Sequence, residues 1–329
     1  MNLFFARIRD FVASLVKFLS HDLWELDFSE IGKSRARYAK HLQAVILTIK
    51  GFTRNRVGRE AVALSFFSTM AAVPMVAAIL FVSNGFGLDK VLADMLYRSF
   101  PTSTELIGVI LNMAHNIVSA TENGVFGWIS FISFIWLVFW LMINIETSFN
   151  RIWKVNRQRK IWKRLIVYVT VLLISPFVLL IFLFGWGWYA KFIGLLSGRL
   201  GVFNFLTKNI FWLVFYGVVA MVLSVMYKVI PHTKVRYGSA LSASLMAGVA
   251  FVILQYLYMG TQMMVTRISA VYGVLAFIPL FMVWMNLCWQ VILIGAELSR
   301  AFNQLDEWEI IERDRVKAAE KKIKLMEAQ

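Results

Sequence analysis

Six apolar runs, each long enough to cross a membrane, set the strongest limit on how this chain can fold. They extend over residues 61–83, 125–149, 165–190, 210–230, 239–260 and 273–298. A helix needs about twenty mostly apolar residues to cross a hydrocarbon layer, and it satisfies its own backbone hydrogen bonds there. The runs therefore predict an all-α fold, a polytopic membrane helix bundle with six transmembrane helices.

The composition favours lipid over water as the main solvent. Hydrophobic residues make up 59% of the 329 positions and charged residues only 16%, which is too apolar for a water-soluble domain of this size. The formal charge is +15, but the cations cluster at the ends of the apolar runs. We therefore expect membrane lipids with anionic headgroups as partners, and no nucleic acid.

The distribution of Lys and Arg predicts the orientation. The N-terminal sixty residues carry eleven, the loop after the second run seven, the loop after the fourth three and the C-terminal segment seven, while the other loops together carry six. Cytoplasmic loops are enriched in these residues. Both termini are therefore predicted to be cytoplasmic.

Three regions follow from these patterns. Residues 1–60 form a cytoplasmic amphipathic region, 61–300 the membrane domain and 301–329 a charged cytoplasmic helical tail. Within residues 85–123 the apolar segments are short, which predicts interfacial or re-entrant helices. The first twenty residues place apolar side chains at helical spacing, typical of a helix on the membrane surface: Phe4, Ile8, Phe11, Val12, Leu15 and Leu19.

Polar residues inside the runs define a candidate cavity. On the sixth run, Asn286, Gln290 and Glu297 fall within a stripe about 40° wide. Because polar groups that face lipid are costly, we expect this stripe to face the bundle interior or a water-filled cavity. Asn144 belongs to a similar stripe on the second run and joins the candidate cavity. Pro279 lies on the same face as Asn286 and, with prolines in two other runs, predicts kinked helices that are structural or that frame a binding cavity.

Glu146 lies about 31 Å from Val125 along a helix, which places it at the cytoplasmic boundary. We expect it to pair with a cation such as Arg151, Lys154 or a residue of a neighbouring helix. A proton or ion relay is the alternative.

Two further features complete the cytoplasmic rim and the packing. Glu297 has Arg300 three residues later as a partner on the helix surface, and Asn150 lies one turn beyond Glu146. On the fifth run, small residues at four-residue intervals predict a close packing face inside the fold or between subunits: Ala240, Ser244 and Gly248.

We find no motif typical of a catalytic site or a metal site in this sequence. The chain has no H-E-x-x-H and no G-x-S-x-G, and its four histidines are scattered,. The single cysteine, Cys288, excludes an intramolecular disulfide and a cysteine-based zinc site. We predict no catalytic residue, no metal site and no cofactor.

Three stretches resemble the YihY/BrkB family of bacterial inner-membrane proteins. "YGVLAFIPLFMVWMNLCWQVILIGAELS" looks like its C-terminal signature, "INIETSFNRIWKV" is similar to its acidic residue followed by an Asn-x-Ile-Trp turn, and "AVALSFFSTMAAVPM" is similar to its first span. The residues that we assign to the structure of these motifs are Pro74, Trp153, Tyr272, Gly273, Pro279 and Gly295.

The resemblance implies a six-span protein of the bacterial inner membrane without established catalytic residues. Members have been labelled ribonuclease, which the residues here do not support, and some have been connected with export of envelope lipids. We therefore expect a transporter, or a transport accessory, for an amphipathic envelope component such as a lipid or glycolipid. The alternative is a non-catalytic membrane scaffold for envelope assembly. A homo-oligomer and an envelope-protein partner are both left open.

Overall fold

A computed structural model provides the structure of the protein. It describes residues 22–24, 33–85, 87, 89–99, 125–155, 204–268 and 270–327, with isolated positions between 107 and 119 and at 162, 164 and 166. The predicted N-terminal surface helix lies outside the described residues, as does nearly all of the predicted third span with Pro176.

The regular structure of the described residues is entirely helical, which confirms the all-α class. After a 3-10 turn at Asp22–Trp24 come α1 (Lys33–Arg54), α2 (Val57–Gly85), α3 (Asp89–Ser99), α4 (Val125–Ile152), α5 (Asn204–Val229), α6 (Tyr237–Ile268) and α7 (Ala270–Glu327). Within the described part, three segments are long and apolar enough to cross a membrane: Trp212–Val229, Tyr237–Thr261 and Pro279–Ile311. The count of six spans stays a prediction.

Helix α7 is the centre of the bundle and contacts α1, α2, α4, α5 and α6. Its 58 residues extend over about 86 Å, far more than the 30 Å of a hydrocarbon core. The expected boundary between membrane domain and tail at residue 300 falls inside this continuous helix. Beyond it, Phe302 and Leu305 are buried, and the Phe302 ring meets His41 of α1 edge-on at 5.2 Å. The tail therefore begins as a packed helix.

The side chains of α6 are sorted by size. Val249, Ile253 and Leu257 are 50%, 55% and 59% exposed, which places large apolar groups on the outside. Ser244 and Gly248 are buried, and the Tyr216 ring of α5 comes within 3.1 Å of where a Gly248 Cβ would lie. The small-residue face therefore packs inside the fold, and the large apolar face suits contact with lipid.

Gly295 lets α5, α6 and α7 meet. A Cβ at this position would lie 2.7 Å from the Ala247 Cβ of α6 and would overlap the Tyr227 hydroxyl of α5. Tyr227 is fully buried, and its ring centroid lies 6.4 Å from that of Phe149 of α4. The tyrosine is therefore packed against α4 as well as α7. Only glycine fits at position 295 without a shift of a neighbouring helix.

We expect Gly295→Ala to lower the free energy of unfolding by about 1–3 kcal/mol, the usual effect of overpacking. Adding Tyr227→Phe removes the nearest atom, the hydroxyl oxygen, and should restore part of the lost free energy of unfolding. The recovery should be incomplete, because the contact with Ala247 remains. Gly217→Ala is the matched control, because a Cβ there meets nothing within 4 Å. Thermal unfolding in detergent measures all three, and an unchanged Gly295→Ala protein would contradict the close approach.

Candidate functional site

One end of the bundle holds several polar contacts between helices. It comprises the α1–α2 turn at 54–57, the end of α4 at 146–155, the α5–α6 loop at 230–236 and residues 297–306 of α7, and we call it the charged end. Six ion pairs of the described residues lie at this end or within a few residues of it along α1, α2 and α7.

Glu297 of α7 is buried, with 3% of it exposed. Asn55 Nδ2 donates a hydrogen bond to its Oε1, and Arg300 Nη1 lies 3.8 Å from its Oε2. A Cβ on Gly51 would fall 2.7 Å from the same Oε2. The carboxylate therefore fills the space that the missing side chain of Gly51 leaves, and it joins α7 to the end of α1.

Glu146 of α4 is equally buried, with 2% of it exposed. Arg164 Nε donates to its Oε1 at 3.3 Å, and Asn150 Nδ2 approaches the same oxygen at 3.5 Å, the long limit of a hydrogen bond,. The structure thus gives Arg164 as the ion-pair partner, in place of Arg151 or Lys154, the two candidates on its own helix end.

Arg151 pairs with Glu60, in the first turn of α2. Ser148 Oγ donates to the other Glu60 oxygen at 3.1 Å, so this carboxylate ties α2 to α4. The sequence reasoning overlooked Glu60. The sequence does point to this residue, because Glu60 is the single acidic residue between Glu30 and Asp89 and directly follows a run of cations.

Asn150 explains the Asn-x-Ile-Trp motif at the end of α4. Its Oδ1 accepts the His232 backbone N–H at 2.9 Å, which holds the α5–α6 loop. Its carbonyl accepts the Val155 N–H at 2.9 Å, and Lys154 N–H donates to the Arg151 carbonyl at 3.1 Å. With Lys154 in the left-handed region at φ 53°, this is a Schellman helix end. Trp153 of the motif packs against the core.

The start of α6 is held by the beginning of the tail. Asn303 Oδ1 accepts the Arg236 N–H at 3.0 Å, and Asp306 Oδ2 accepts from Ser239 Oγ at 2.7 Å. A carboxylate near a helix N-terminus is favoured by the helix dipole. Sequence reasoning missed Asn303 and Asp306, since it assigned both to a charged cytoplasmic helical tail outside the membrane domain.

Lys40 of α1 completes this contact, with Nζ 2.5 Å from Asp306 Oδ1 and 2.9 Å from Glu309 Oε2. Burial acts to lower the pKa of Lys40. The hydrogen bonds and charges of Asp306 and Glu309 outweigh it, and the pKa lies above its usual value. The lysine therefore stays charged at neutral pH and pins α1 to α7.

The predicted cavity residues separate into three places. Gln290 Nε2 donates to Asn286 Oδ1 at 2.7 Å, whereas Glu297 belongs to the charged end. Asn144 Nδ2 donates to the Trp140 carbonyl of its own helix at 2.8 Å. We call the pair Asn286 and Gln290 the polar pair.

Asn286 lies beside a residue of α7 that contacts α2. Trp289, about 60° away around the helix, donates from Nε1 to Ser68 Oγ of α2 at 2.9 Å. Asn286 Nδ2 is buried and has no acceptor among the described residues. On the opposite face of α7, Trp284 stacks on Tyr258 of α6 with ring centroids 4.7 Å apart.

The remaining motif residues lie within helices: Pro74 in α2, and Tyr272, Gly273 and Pro279 in the first turns of α7. Within the described part of the chain, no three His, Cys, Asp or Glu side chains group together to hold a metal ion. Cys288 is a buried free thiol.

Comparison with known proteins decides the family. The family model described as "Virulence factor BrkB" matches residues 48–321. The chain belongs to the BrkB family. The matched range includes Asn55, Glu60, Asn150 and Glu297, so the main contacts of the charged end lie within the family's shared region.

Relatives of this BrkB protein are described as UPF0761 membrane proteins. The one from Acinetobacter baylyi is 26% identical over 275 residues, which cover 79% of this chain and 62% of that protein. The one from Vibrio atlanticus is 24% identical, covering 78% and 81%, and the one from Actinobacillus pleuropneumoniae 23%, covering 79% and 94%. The chain therefore spans less than two thirds of the Acinetobacter protein. No solved structure matches.

Glu146→Gln should cause loss of folded protein, or a drop of about 3 kcal/mol or more in the free energy of unfolding, because it leaves Arg164 buried without a compensating charge. Glu309→Gln removes a 44% exposed ion-pair partner and should change stability by less than about 1 kcal/mol. Size-exclusion chromatography and thermal unfolding in detergent measure both. If the Glu146→Gln variant were as stable as the wild type but had lost the expected transport activity, the result would instead favour a proton or ion relay at Glu146.

Proposed function

We propose that this BrkB-family membrane protein moves, or helps to move, an amphipathic envelope component such as a lipid or glycolipid across the membrane. The observation that carries the proposal is the buried Nδ2 atom of Asn286. This hydrogen-bond donor lies within a candidate span, and it has no acceptor among the described residues.

Depth makes this donor informative. Asn286 lies eleven residues from Glu297, or about 16 Å along α7, which is near the middle of a 30 Å hydrocarbon core when Glu297 is at its edge. A buried unsatisfied donor costs about 1–3 kcal/mol. Polar groups at such depth mark substrate paths in membrane proteins. An ester carbonyl, a hydroxyl or a phosphate oxygen of an amphipathic substrate supplies the acceptor that Asn286 lacks.

The proposal includes six spans in the bacterial inner membrane with both termini in the cytoplasm. The charged end supports it, because the α1–α2 turn, the end of α4, the α5–α6 loop and the start of the tail converge there. The distribution of Lys and Arg assigns these same segments to the cytoplasmic side. Residues 1–60 and 301–329 are then cytoplasmic regions around a membrane domain at 61–300.

In the proposed mechanism the space beside the polar pair opens alternately to the two sides of the membrane, without covalent chemistry. Cations of the charged end attract an anionic headgroup from the cytoplasmic leaflet. A scaffold acting through the small residues of α6 is less well supported, because Ala240 and Ser244 are fully buried inside the fold.

Asn286→Leu should lower lipid translocation about tenfold, the effect of one lost hydrogen bond in the transported state. The same change removes the unsatisfied Nδ2 donor and also the Oδ1 that accepts the Gln290 hydrogen bond, so the two effects oppose each other and the melting temperature should change little. Leu287→Ala is the control, since that side chain is 39% exposed and should leave transport unchanged. Liposomes with labelled envelope lipids provide the assay. Wild-type protein that moves none of the lipids tried above protein-free liposomes would sink the proposal.

A further inference from the structure

Two helices at the charged end finish in backbone that L-amino acids rarely adopt. Arg56, just after α1, and Lys154, just after α4, both have φ 53°. Glycine is the usual residue at this position, because a Cβ is strained there. The helix dipole favours a cation in the last turn, but those turns already carry Arg54 and Arg151. A positive side chain thus occupies, in both turns, a place where glycine fits better.

The two turns lie close to the same carboxylate, that of Glu297. Asn55, beside Arg56, donates a hydrogen bond to one oxygen of the Glu297 carboxylate. Arg300 forms an ion pair with the other oxygen at 3.8 Å. The charges of Arg54 and then of Arg300, with slight burial, lower the pKa of Lys154 below its usual value, although Glu297 acts in the opposite direction. Positive charge is therefore in excess around this one carboxylate.

Exposure decides which of these cations is available to a ligand. Arg54, Arg56 and Lys154 are exposed, whereas Glu297 and Arg300 are buried beneath them. Lys154 is close enough to Arg54 for the two charges to interact, and Arg56 follows Arg54 by two residues in the same turn. Residues in sparsely populated backbone regions cluster at active sites and ligand clamps, which makes the two turns candidates for a binding role.

We propose that Arg54, Arg56 and Lys154 form a binding site for the phosphate group of an anionic molecule at the membrane boundary. A guanidinium offers paired donors to phosphate oxygens and an ammonium offers a compact charge. The inference deepens the proposed function by naming the headgroup chemistry, and rests on it for the choice of a lipid. Free phosphate has the same chemistry, so the experiment separates the two sources.

The test measures the melting temperature of the purified full-length chain in a neutral detergent. The probes are short-chain phosphatidic acid, short-chain phosphatidylcholine and inorganic phosphate, since a ligand that binds the folded state raises the melting temperature. The test variant is Arg56→Gly with Lys154→Gly, because glycine fits both backbone positions and its melting temperature without ligand should be equal or higher. Arg236→Gln removes an exposed cation elsewhere at the charged end and is the matched control.

We expect phosphatidic acid, and not phosphatidylcholine, to stabilise the wild type and Arg236→Gln, with affinity about tenfold weaker in the glycine double variant. A phosphatidic acid shift well above that of inorganic phosphate identifies a lipid headgroup, and equal shifts identify free phosphate; both support the site. Equal stabilisation of the wild type and the double variant overturns it, as does equal stabilisation by the two lipids. Absent translocation with binding retained contradicts the proposed function alone.

Discussion

Glu297 accepts a hydrogen bond from Asn55 where α1 and α7 come so close that Gly51 leaves room for nothing but the carboxylate. A buried charge is tolerated only when its partners are in place, so the contact fixes how far α1 slides along α7. Lys40 then reaches Asp306 further along the same helix pair. The geometry of the charged end depends on this one buried carboxylate.

Three successive residues of α7 serve three directions of packing. Gly295 admits Tyr227 of α5 and Ala247 of α6, and Ala296 is fully buried. Glu297 turns to α1. Because neighbouring residues on a helix differ by about 100°, the Gly-Ala-Glu segment can hold α7 against several helices within one turn. This is a structural reason for the family motif, and it separates the segment from the polar pair about one and a half to two and a half turns earlier on α7.

The sequence predicts what is local and misses what is paired at a distance. Length and hydrophobicity of the apolar runs place α2, α4, α5, α6 and α7, since both properties belong to each segment alone. Asn55 and Glu297 are 242 positions apart, and Glu60 and Arg151 are 91 apart. No periodicity within one segment contains such pairs. Helical spacing puts the polar pair and Glu297 on one stripe of α7, but the two members of the polar pair bond to each other whereas Glu297 bonds to Asn55 of the α1–α2 turn.

The packed start of the tail has the same explanation. No glycine or proline follows Gly295, so nothing local ends α7 at the boundary predicted near residue 300, and the helix continues to Glu327. Whether its first turns are solvated depends on α1. Burial of Phe302 against His41 could not be derived from the charged composition of residues 301–329.

The polar pair lies between the charged end and Pro279 on α7. Toward the charged end, Glu297, Asn303 and Asp306 bind other helices, so that part of α7 moves only if several buried contacts break. In the other direction, Pro279 interrupts the backbone hydrogen bonds seven residues before Asn286, and such positions kink helices. In the proposed function, the space beside Asn286 therefore opens by bending at Pro279 while the charged end stays in place and holds the headgroup.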